Sequence, residues 1–185
     1  MEHKARAYFV GIGFIFVALM SRFLPHPPNL TALGALALFA PAVFSSRWGL
    51  KFAILAPLAV LFVSDLVFGF YPGLAFVYAS FALMALLGAA LRPQKSLVRA
   101  GLSVPLASVI FFVVTNFGVW LMSGLYPKTA AGLVESYVMA IPFFGNQFLG
   151  NAIFVTAFAI AYRSLVADQT ATDAVLSGAT SQSID

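Results

Sequence analysis

Apolar runs long enough to cross a membrane recur along this chain, separated by short polar breaks. A helical span needs roughly 20 apolar residues, or somewhat fewer where flanking side chains reach back to the interface. Five runs meet this requirement: residues 7–24, 51–70, 74–91, 100–123 and 139–162. With 62% hydrophobic and 9% charged residues, the composition lies far outside that of soluble domains. The sequence predicts an all-α, polytopic membrane protein, because a helix satisfies its own backbone groups in lipid.

A sixth apolar segment, residues 31–44 (TALGALALFAPAVF), is short for a span and contains a proline. It is either a further membrane helix or a re-entrant segment. Basic residues favour the helix, because cytoplasmic loops are enriched in them. With six helices and both termini inside, the outer connections carry only Arg22 and Lys128. The other eight basic residues then lie in inner segments: Lys4, Arg6, Arg47, Lys51, Arg92, Lys95, Arg99 and Arg163.

The apolar pattern ends near the C-terminus. Residues 1–166 are predicted to form one six-helix transmembrane domain. Residues 167–185 are rich in Ser, Thr, Ala and Asp and lack a strong hydrophobic period. Such a composition buries too little apolar surface to fold, which predicts a disordered cytoplasmic tail.

Motifs for several kinds of chemistry are absent from the sequence. It contains no cysteine, no GxxxxGK[ST] phosphate loop and no HExxH pair, and it has two histidines. We therefore expect a protein that is not an enzyme and has no resident cofactor or metal site. The pI of about 9.6 does not indicate nucleic-acid binding, because the basic residues stand singly between apolar runs.

Polar and aromatic residues that could bind a small molecule concentrate on the outward half of the six-helix arrangement. The inward half has apolar helix interiors and basic ends. The sequence therefore predicts a substrate-binding cup that opens to the outside. Its candidate residues are His26, Asn29, Asp65, Tyr71, Asn116, Trp120, Tyr126 and Asn146. Gln147 and Asn151 are polar residues of the last helix without a predicted role.

Each candidate also has a purely structural interpretation. A carboxylate inside a membrane helix is costly, so Asp65 either faces a pocket or pairs with Arg22 or Lys128. His26 lies between prolines that already account for a rigid turn. The asparagines could join helices by hydrogen bonds, as is common in bundles. The aromatic residues Tyr71, Trp120 and Tyr126 could be anchors at the membrane interface.

Four blocks of the sequence carry a resemblance to a known group of proteins. They are SRFLPHPPNLTALGALALFAPAVF, PLAVLFVSDLVFGFYPG, FFVVTNFGVWLMSGLYPKTAAGL and YVMAIPFFGNQFLGN. The chain resembles, over roughly residues 8–160, an uncharacterised family of small bacterial membrane proteins related to the S components of energy-coupling factor (ECF) transporters. The resemblance implies a six-helix bundle in the bacterial cytoplasmic membrane with a vitamin-binding pocket near the outer face. It also implies, as partners, an energising module of two ATPases and a coupling membrane subunit.

The nearest characterised relatives implied by the resemblance are solitary cobalamin-binding S components. Their pocket histidine after the first helix and aspartate in the third match His26 and Asp65, which makes cobalamin a candidate substrate and His26 a candidate axial ligand to cobalt. Their cobalt-ligating cysteine is absent here. Tyr78 or Ser80 occupies its neighbourhood, and Tyr78 is a further candidate for substrate binding. Residues 7–24 also lack the AxxxA motif that other S components use for docking, so the chain acts alone or with an unusual partner.

Three functions are therefore compatible with the sequence. The leading hypothesis is a substrate-binding membrane protein for uptake of a small vitamin-like nutrient, with a corrinoid among the candidates. The second is a structural or assembly subunit in which the polar residues join helices. The third is a proton-coupled carrier in which Asp65 titrates.

The predicted topology can be tested with single cysteines introduced into this cysteine-free chain. Positions in 24–30, 71–73 and 124–136 should react with a membrane-impermeant thiol reagent added outside, whereas positions in 92–99 should not. The expectation follows from the eight-to-two distribution of basic residues. Labelling of 92–99 from outside in intact cells would contradict six helices with both termini inside.

Overall fold

The computed structural model describes residues 2–167, and for residues 2–4, 45–48 and 167 it describes the backbone alone. The predicted tail therefore lies, from residue 168 on, outside the described residues. The described chain is built from helices joined by short turns, which confirms the all-α prediction. The helices are α1 (Glu2–Phe23), α2 (Leu33–Phe68), α3 (Leu74–Leu91), α4 (Leu97–Met122) and α5 (Ala130–Tyr162), with a 3₁₀ turn at Pro93–Lys95 and a π-helical turn at Arg163–Ala167.

Helix α2 consists of two arms that meet at Gly49. This glycine has φ 77° and ψ 174°, a backbone conformation essentially restricted to glycine, so the helix cannot continue straight through it. We call Leu33–Phe44 the short arm and Gly49–Phe68 the long arm. The described residues thus form six helical segments. Five of them are long and apolar enough to cross a membrane: Ala5–Phe23, Gly49–Phe68, Leu74–Lys95, Leu97–Met122 and Ala130–Val166.

The start of α5 differs from the sequence prediction. Its apolar run was expected to begin at residue 139, but the helix begins at Ala130. The Thr129 hydroxyl accepts a hydrogen bond from the Gly132 backbone N–H at 3.2 Å, which caps the first turn. Residues 130–138, predicted as a connection, are helical. Glu135 and Ser136 interrupt the apolar run, so hydropathy alone places its start later than the start of the helix.

The short arm lies at the centre of the bundle. Every residue from Leu33 to Pro41 is buried. Around it pack side chains of α1, the long arm, α3 and α5, including Phe14, Leu61, Met84 and Phe158. Phe14 and Phe158 stack at 3.8 Å between ring centroids, and Phe39 of the short arm meets both rings edge-on at 5.9 and 6.2 Å. The helical backbone continues through residues 45–48, so the helix before Gly49 is about 24 Å long at 1.5 Å per residue, shorter than the roughly 30 Å of a hydrocarbon core.

Two glycines allow other helices to approach the short arm closely. A methyl group at Gly88 of α3 would overlap the backbone carbonyl of Leu38. A methyl group at Gly34 would overlap the side-chain oxygen of Asn151 in α5. The Asn151 amide in turn donates to the Ser108 hydroxyl of α4 at 2.9 Å. Small residues at such contacts let backbones meet, which is how helices associate in lipid.

The connections at residues 24–32, 69–73 and 123–129 meet at one end of the bundle, where they surround a common cavity. We call this the cavity end. Gly49 and the 3₁₀ turn at Pro93–Lys95 lie in the connections at the opposite end. Helices that follow one another along the chain run antiparallel, so each connection lies at one of these two ends.

The Gly88 contact gives a stability prediction. Gly88→Ala should lower the melting temperature in detergent, because overpacking against a backbone carbonyl typically costs about 1–3 kcal/mol. Gly13→Ala in α1 is the matched control, since nothing lies within 4 Å of a methyl group there. Equal melting temperatures for the two variants would show that α3 does not press against the short arm as described.

Candidate functional site

A cavity of about 480 Å³ opens at the cavity end, directly beside the first turn of the short arm. Leu33 lies on its wall, together with residues from all three connections. Its volume falls within the range of roughly 300–1,000 Å³ that is typical of small-molecule sites. The cavity therefore occupies the space that the short central helix leaves unfilled.

Aromatic rings make up much of the cavity wall. Phe81 of α3 meets Phe111 of α4 edge-to-face at 5.4 Å between centroids. Phe112 of α4 meets Phe144 of α5 in the same way at 5.1 Å. Such pairs hold each other's orientation and are favourable beyond their area of contact. The wall is thus suited to a flat, largely apolar molecule.

Three carboxamide side chains line the cavity: Asn29 in the connection after α1, and Asn116 and Gln147 on the helices. Asn116 donates from Nδ2 to the Phe112 carbonyl at 2.8 Å, one helical turn back, and its Oδ1 accepts no hydrogen bond from the described residues. Gln147 is only 4% exposed, and its side chain makes no hydrogen bond to the described residues. An amide carries two N–H donors and a carbonyl acceptor, and sites not used by the protein can bind water or a ligand. The Asn116 and Gln147 side chains are therefore available to a ligand.

An ion pair stands behind one wall of the cavity. Asp65 of the long arm is 1% exposed, and its Oδ1 lies 2.8 Å from Arg22 Nη2. The Tyr78 hydroxyl of α3 donates to the other carboxylate oxygen at 2.9 Å. Arg22 also packs over the Phe68 ring, at 5.6 Å from its centroid. Arg22 lines the cavity, whereas Asp65 and Tyr78 do not. Of the alternatives for Asp65, the structure shows the pairing with Arg22.

The proline-rich connection after α1 is held in one conformation. The Ala32 backbone N–H donates to the Ser21 hydroxyl at 3.0 Å, which ties the end of α1 to the start of the short arm. Asn29 has a positive φ of 67°, which asparagine tolerates better than most residues. His26 Nδ1 lies 2.8 Å from the Pro27 carbonyl oxygen. The turn therefore presents His26 and Asn29 at the cavity rim.

The connection after α4 forms the opposite side of the rim. Trp120 Nε1 donates to the Pro127 carbonyl at 2.9 Å. Lys128 Nζ donates to the Trp120 carbonyl and lies 5.5 Å from the centroid of its ring. These contacts fold the connection back over the end of α4, so that Leu125 and Tyr126 line the cavity.

Tyr71, in the connection before α3, is a neutral donor at the rim. Partial burial, with a smaller contribution from the Asp65 carboxylate, raises the pKa of Tyr71 above its ordinary value, and the Arg22 guanidinium offsets part of this effect. The phenol therefore stays protonated across the physiological pH range and can donate a hydrogen bond into the cavity.

Comparison with known proteins places the chain in a family. A profile described as a family of unknown function (DUF6580) matches residues 2–174. The chain belongs to the DUF6580 family. The match includes every residue that lines the cavity and the Arg22–Asp65 pair. Neither the curated proteins nor the solved structures gave a match to the chain.

The structure of this DUF6580 protein brings together part of the predicted site. Of the predicted residues, those lining the cavity are His26, Asn29, Tyr71, Asn116 and Tyr126. Asp65 and Tyr78 lie behind Arg22, Trp120 binds its own connection, and Asn146 lies outside the lining. Among the residues the structure describes, no group of three His, Cys, Asp or Glu side chains could hold a metal ion.

Sequence reasoning did not select Arg22 or Gln147 for the DUF6580 cavity. From the sequence, Arg22 is a candidate ion-pair partner for Asp65, and Gln147 is a polar residue without a predicted role. A helical-face argument could have found Gln147. It lies four residues after Phe143 and four before Asn151, and positions with this spacing share one face of a helix.

The Arg22–Asp65 pair gives a prediction for this DUF6580 protein. Arg22→Gln and Asp65→Asn should each destabilise by about 3 kcal/mol, because each leaves a largely buried charge without its partner. The double variant should cost less than the sum of the two, since no unpaired charge remains. Thermal unfolding of the four proteins in one detergent measures the coupling, and strictly additive losses would contradict a direct interaction.

Proposed function

We propose that the protein is a substrate-binding integral membrane protein, similar to an ECF S component, for uptake of a small vitamin-like nutrient. In this proposal six helices cross the bacterial cytoplasmic membrane, both termini are inside, and the cavity opens outward. The observation that carries the proposal is Gln147, a buried carboxamide that lines a cavity of about 480 Å³ and has no hydrogen-bond partner in the described chain.

Other polar side chains between the helices support binding over a purely structural role. Asn151 donates to Ser108, and the Tyr137 hydroxyl donates to the Val113 carbonyl of α4 at 2.9 Å. These groups join helices, as polar residues in membrane bundles commonly do. Gln147 makes no such bond, although it lies one turn from Asn151 on the same helix. A structural role would require a partner that Gln147 lacks among the described residues.

The charges at the two ends support an outward-facing cavity. Arg22 and Lys128 are the basic residues at the cavity end of the described helices, and both are engaged, Arg22 by Asp65 and Lys128 by Trp120. Arg92, Lys95 and Arg99 cluster at the opposite end, beside the 3₁₀ turn. Because basic residues accumulate on the cytoplasmic side, this distribution favours the cavity end outside.

The size and chemistry of the cavity favour a nutrient smaller than a corrinoid. A corrin ring with its side chains and nucleotide loop exceeds a space of about 480 Å³. Neither residue near the missing cysteine is free to ligate cobalt. The Tyr78 hydroxyl donates to Asp65, and the Ser80 hydroxyl donates to the Val77 carbonyl at 2.7 Å. His26 remains at the rim, so a corrinoid would have to sit outside the aromatic wall.

A proton-coupled carrier is less well supported. Such a carrier needs a carboxyl group within reach of both substrate and water. Asp65 is 1% exposed, lies outside the cavity lining and is bound by Arg22 and Tyr78. In our proposal, energy for uptake comes instead from a partner such as an ATPase module, because the sequence has no nucleotide-binding loop.

Ligand retention tests the proposal. Protein purified in mild detergent from cells grown in rich medium should carry a small organic ligand, detected by native mass spectrometry. Gln147→Met and Asn116→Leu should weaken its binding roughly tenfold each, because one or two hydrogen bonds of about 1 kcal/mol are lost.

Asn146→Leu is the matched control, since Asn146 neighbours Gln147 in sequence but does not line the cavity. It should leave ligand retention unchanged. If Gln147→Met lowers the melting temperature strongly and no preparation carries a ligand, the amides join helices and the proposal is wrong.

A further inference from the structure

We propose that the cavity selects a neutral, planar ring compound bearing a carboxamide or lactam edge, and discriminates against carboxylates and cations of the same shape. This inference rests on the proposed function, and it names the class of substrate. It follows from the charges around the cavity, from the hydrogen-bonding groups left free in it, and from the shape of its wall.

The charges around the cavity compensate each other. Arg22 lines the cavity, and its charge is balanced by Asp65 at 2.8 Å. No aspartate or glutamate is among the described residues that line the cavity. His26 is exposed at the rim rather than enclosed by the wall. The site therefore has a low dielectric and no free counter-charge. Binding a fully charged ligand there is unfavourable, whichever sign the charge has.

The free hydrogen-bonding groups require a ligand that both donates and accepts. Gln147 offers an unused N–H₂ group and an unused carbonyl oxygen, and Asn116 Oδ1 is a further unused acceptor. A carboxylate only accepts, so it would leave the amide oxygens unpaired. An ammonium group only donates, so it would leave the N–H₂ group unpaired. A carboxamide or lactam presents a donor beside an acceptor and can satisfy both.

Arg22 contributes a donor rather than a net charge. Its Nη2 is used by Asp65, and its Nη1 makes no hydrogen bond to the described residues. A carbonyl oxygen on the ligand can accept from Nη1 without disturbing the ion pair. A positively charged ring nitrogen has no lone pair with which to accept a hydrogen bond from this N–H. Arg22 therefore favours a carbonyl group over a positively charged ring nitrogen.

The wall restricts the shape of the ligand. The edge-to-face pairs Phe81–Phe111 and Phe112–Phe144 fix flat apolar surfaces on three helices. A planar ring can lie against these faces with its polar edge directed to Gln147 and Asn116. A branched aliphatic chain of equal volume would make poorer contact and would not satisfy the amides.

The test uses compounds that share a planar ring and differ in the charge of the ring or of its substituent. Pyridine, pyrazine and pteridine rings are each prepared as the neutral carboxamide, the carboxylate and the N-methylated cationic carboxamide. Dissociation constants are measured on the purified full chain by calorimetry in detergent. For at least one ring the neutral form should bind at least tenfold more tightly than both charged forms. A carboxylate or cation that binds as tightly as its neutral counterpart would overturn the inference.

Two variants should change the preference in opposite ways. Gln147→Glu keeps the shape of the side chain and adds a negative charge, so the cationic probe should gain over the neutral one. Asp65→Asn leaves Arg22 uncompensated, so the carboxylate should gain at least tenfold over the carboxamide. Asn146→Asp, outside the cavity lining, is the control and should leave the order unchanged. Because Gln147→Glu removes no ion pair, it remains informative if Asp65→Asn does not fold.

The inference and the proposed function fail in different ways. If no probe binds but native mass spectrometry finds a co-purified acid or cation, the inference is wrong and the binding role stands. If no probe binds and no ligand is retained, both are wrong. A retained neutral ring amide that is lost in Gln147→Met supports both.

Discussion

The rest of the structure depends on the burial of one short helix. The helix of α2 before Gly49 is about 24 Å long, and every residue from Leu33 to Pro41 is buried. A helix shorter than the hydrocarbon core leaves its end groups within the bilayer, where neighbouring protein has to cover them. The other helices enclose it, and Gly34 and Gly88 let the backbones of neighbouring helices come close. The cavity lies where this enclosure extends beyond the end of the short arm.

The Arg22–Asp65–Tyr78 network links that enclosure to the cavity. It joins the end of α1 to the long arm and α3, so three helices are held together at the level of the site. An unpaired carboxylate is costly inside a membrane helix, so Asp65 requires a partner. By pairing with Arg22, it holds the guanidinium in place at the cavity wall. The same interaction keeps the site electrically neutral. Packing and, in our proposal, ligand selection therefore depend on one buried charge pair.

Hydropathy predicted how far along a helix each residue lies better than it predicted which way the side chain faces. The apolar runs located the long helices, because lipid requires a minimum length of apolar chain. The depth of Asn116 and Asn146 was equally readable, yet only Asn116 lines the cavity. Asn146 and Gln147 are adjacent, about 100° apart around a helix, and packing decides which of them faces inward. The helices are apolar on almost every face, so the sequence does not indicate which face lines the cavity. For this reason Gln147 and the phenylalanine wall were not predicted.

The short arm also suggests how such a site could diversify. The cavity is bounded on one side by the first turn of a helix whose start is set by the connection at residues 24–32. Inserting or deleting a helical turn there would move the floor by about 5.4 Å while restoring the same face of the helix. Pocket depth in proteins built this way would then change in discrete steps rather than by gradual substitution of the wall. Insertions and deletions in the connection at residues 24–32 would then accompany a change in the size of the ligand.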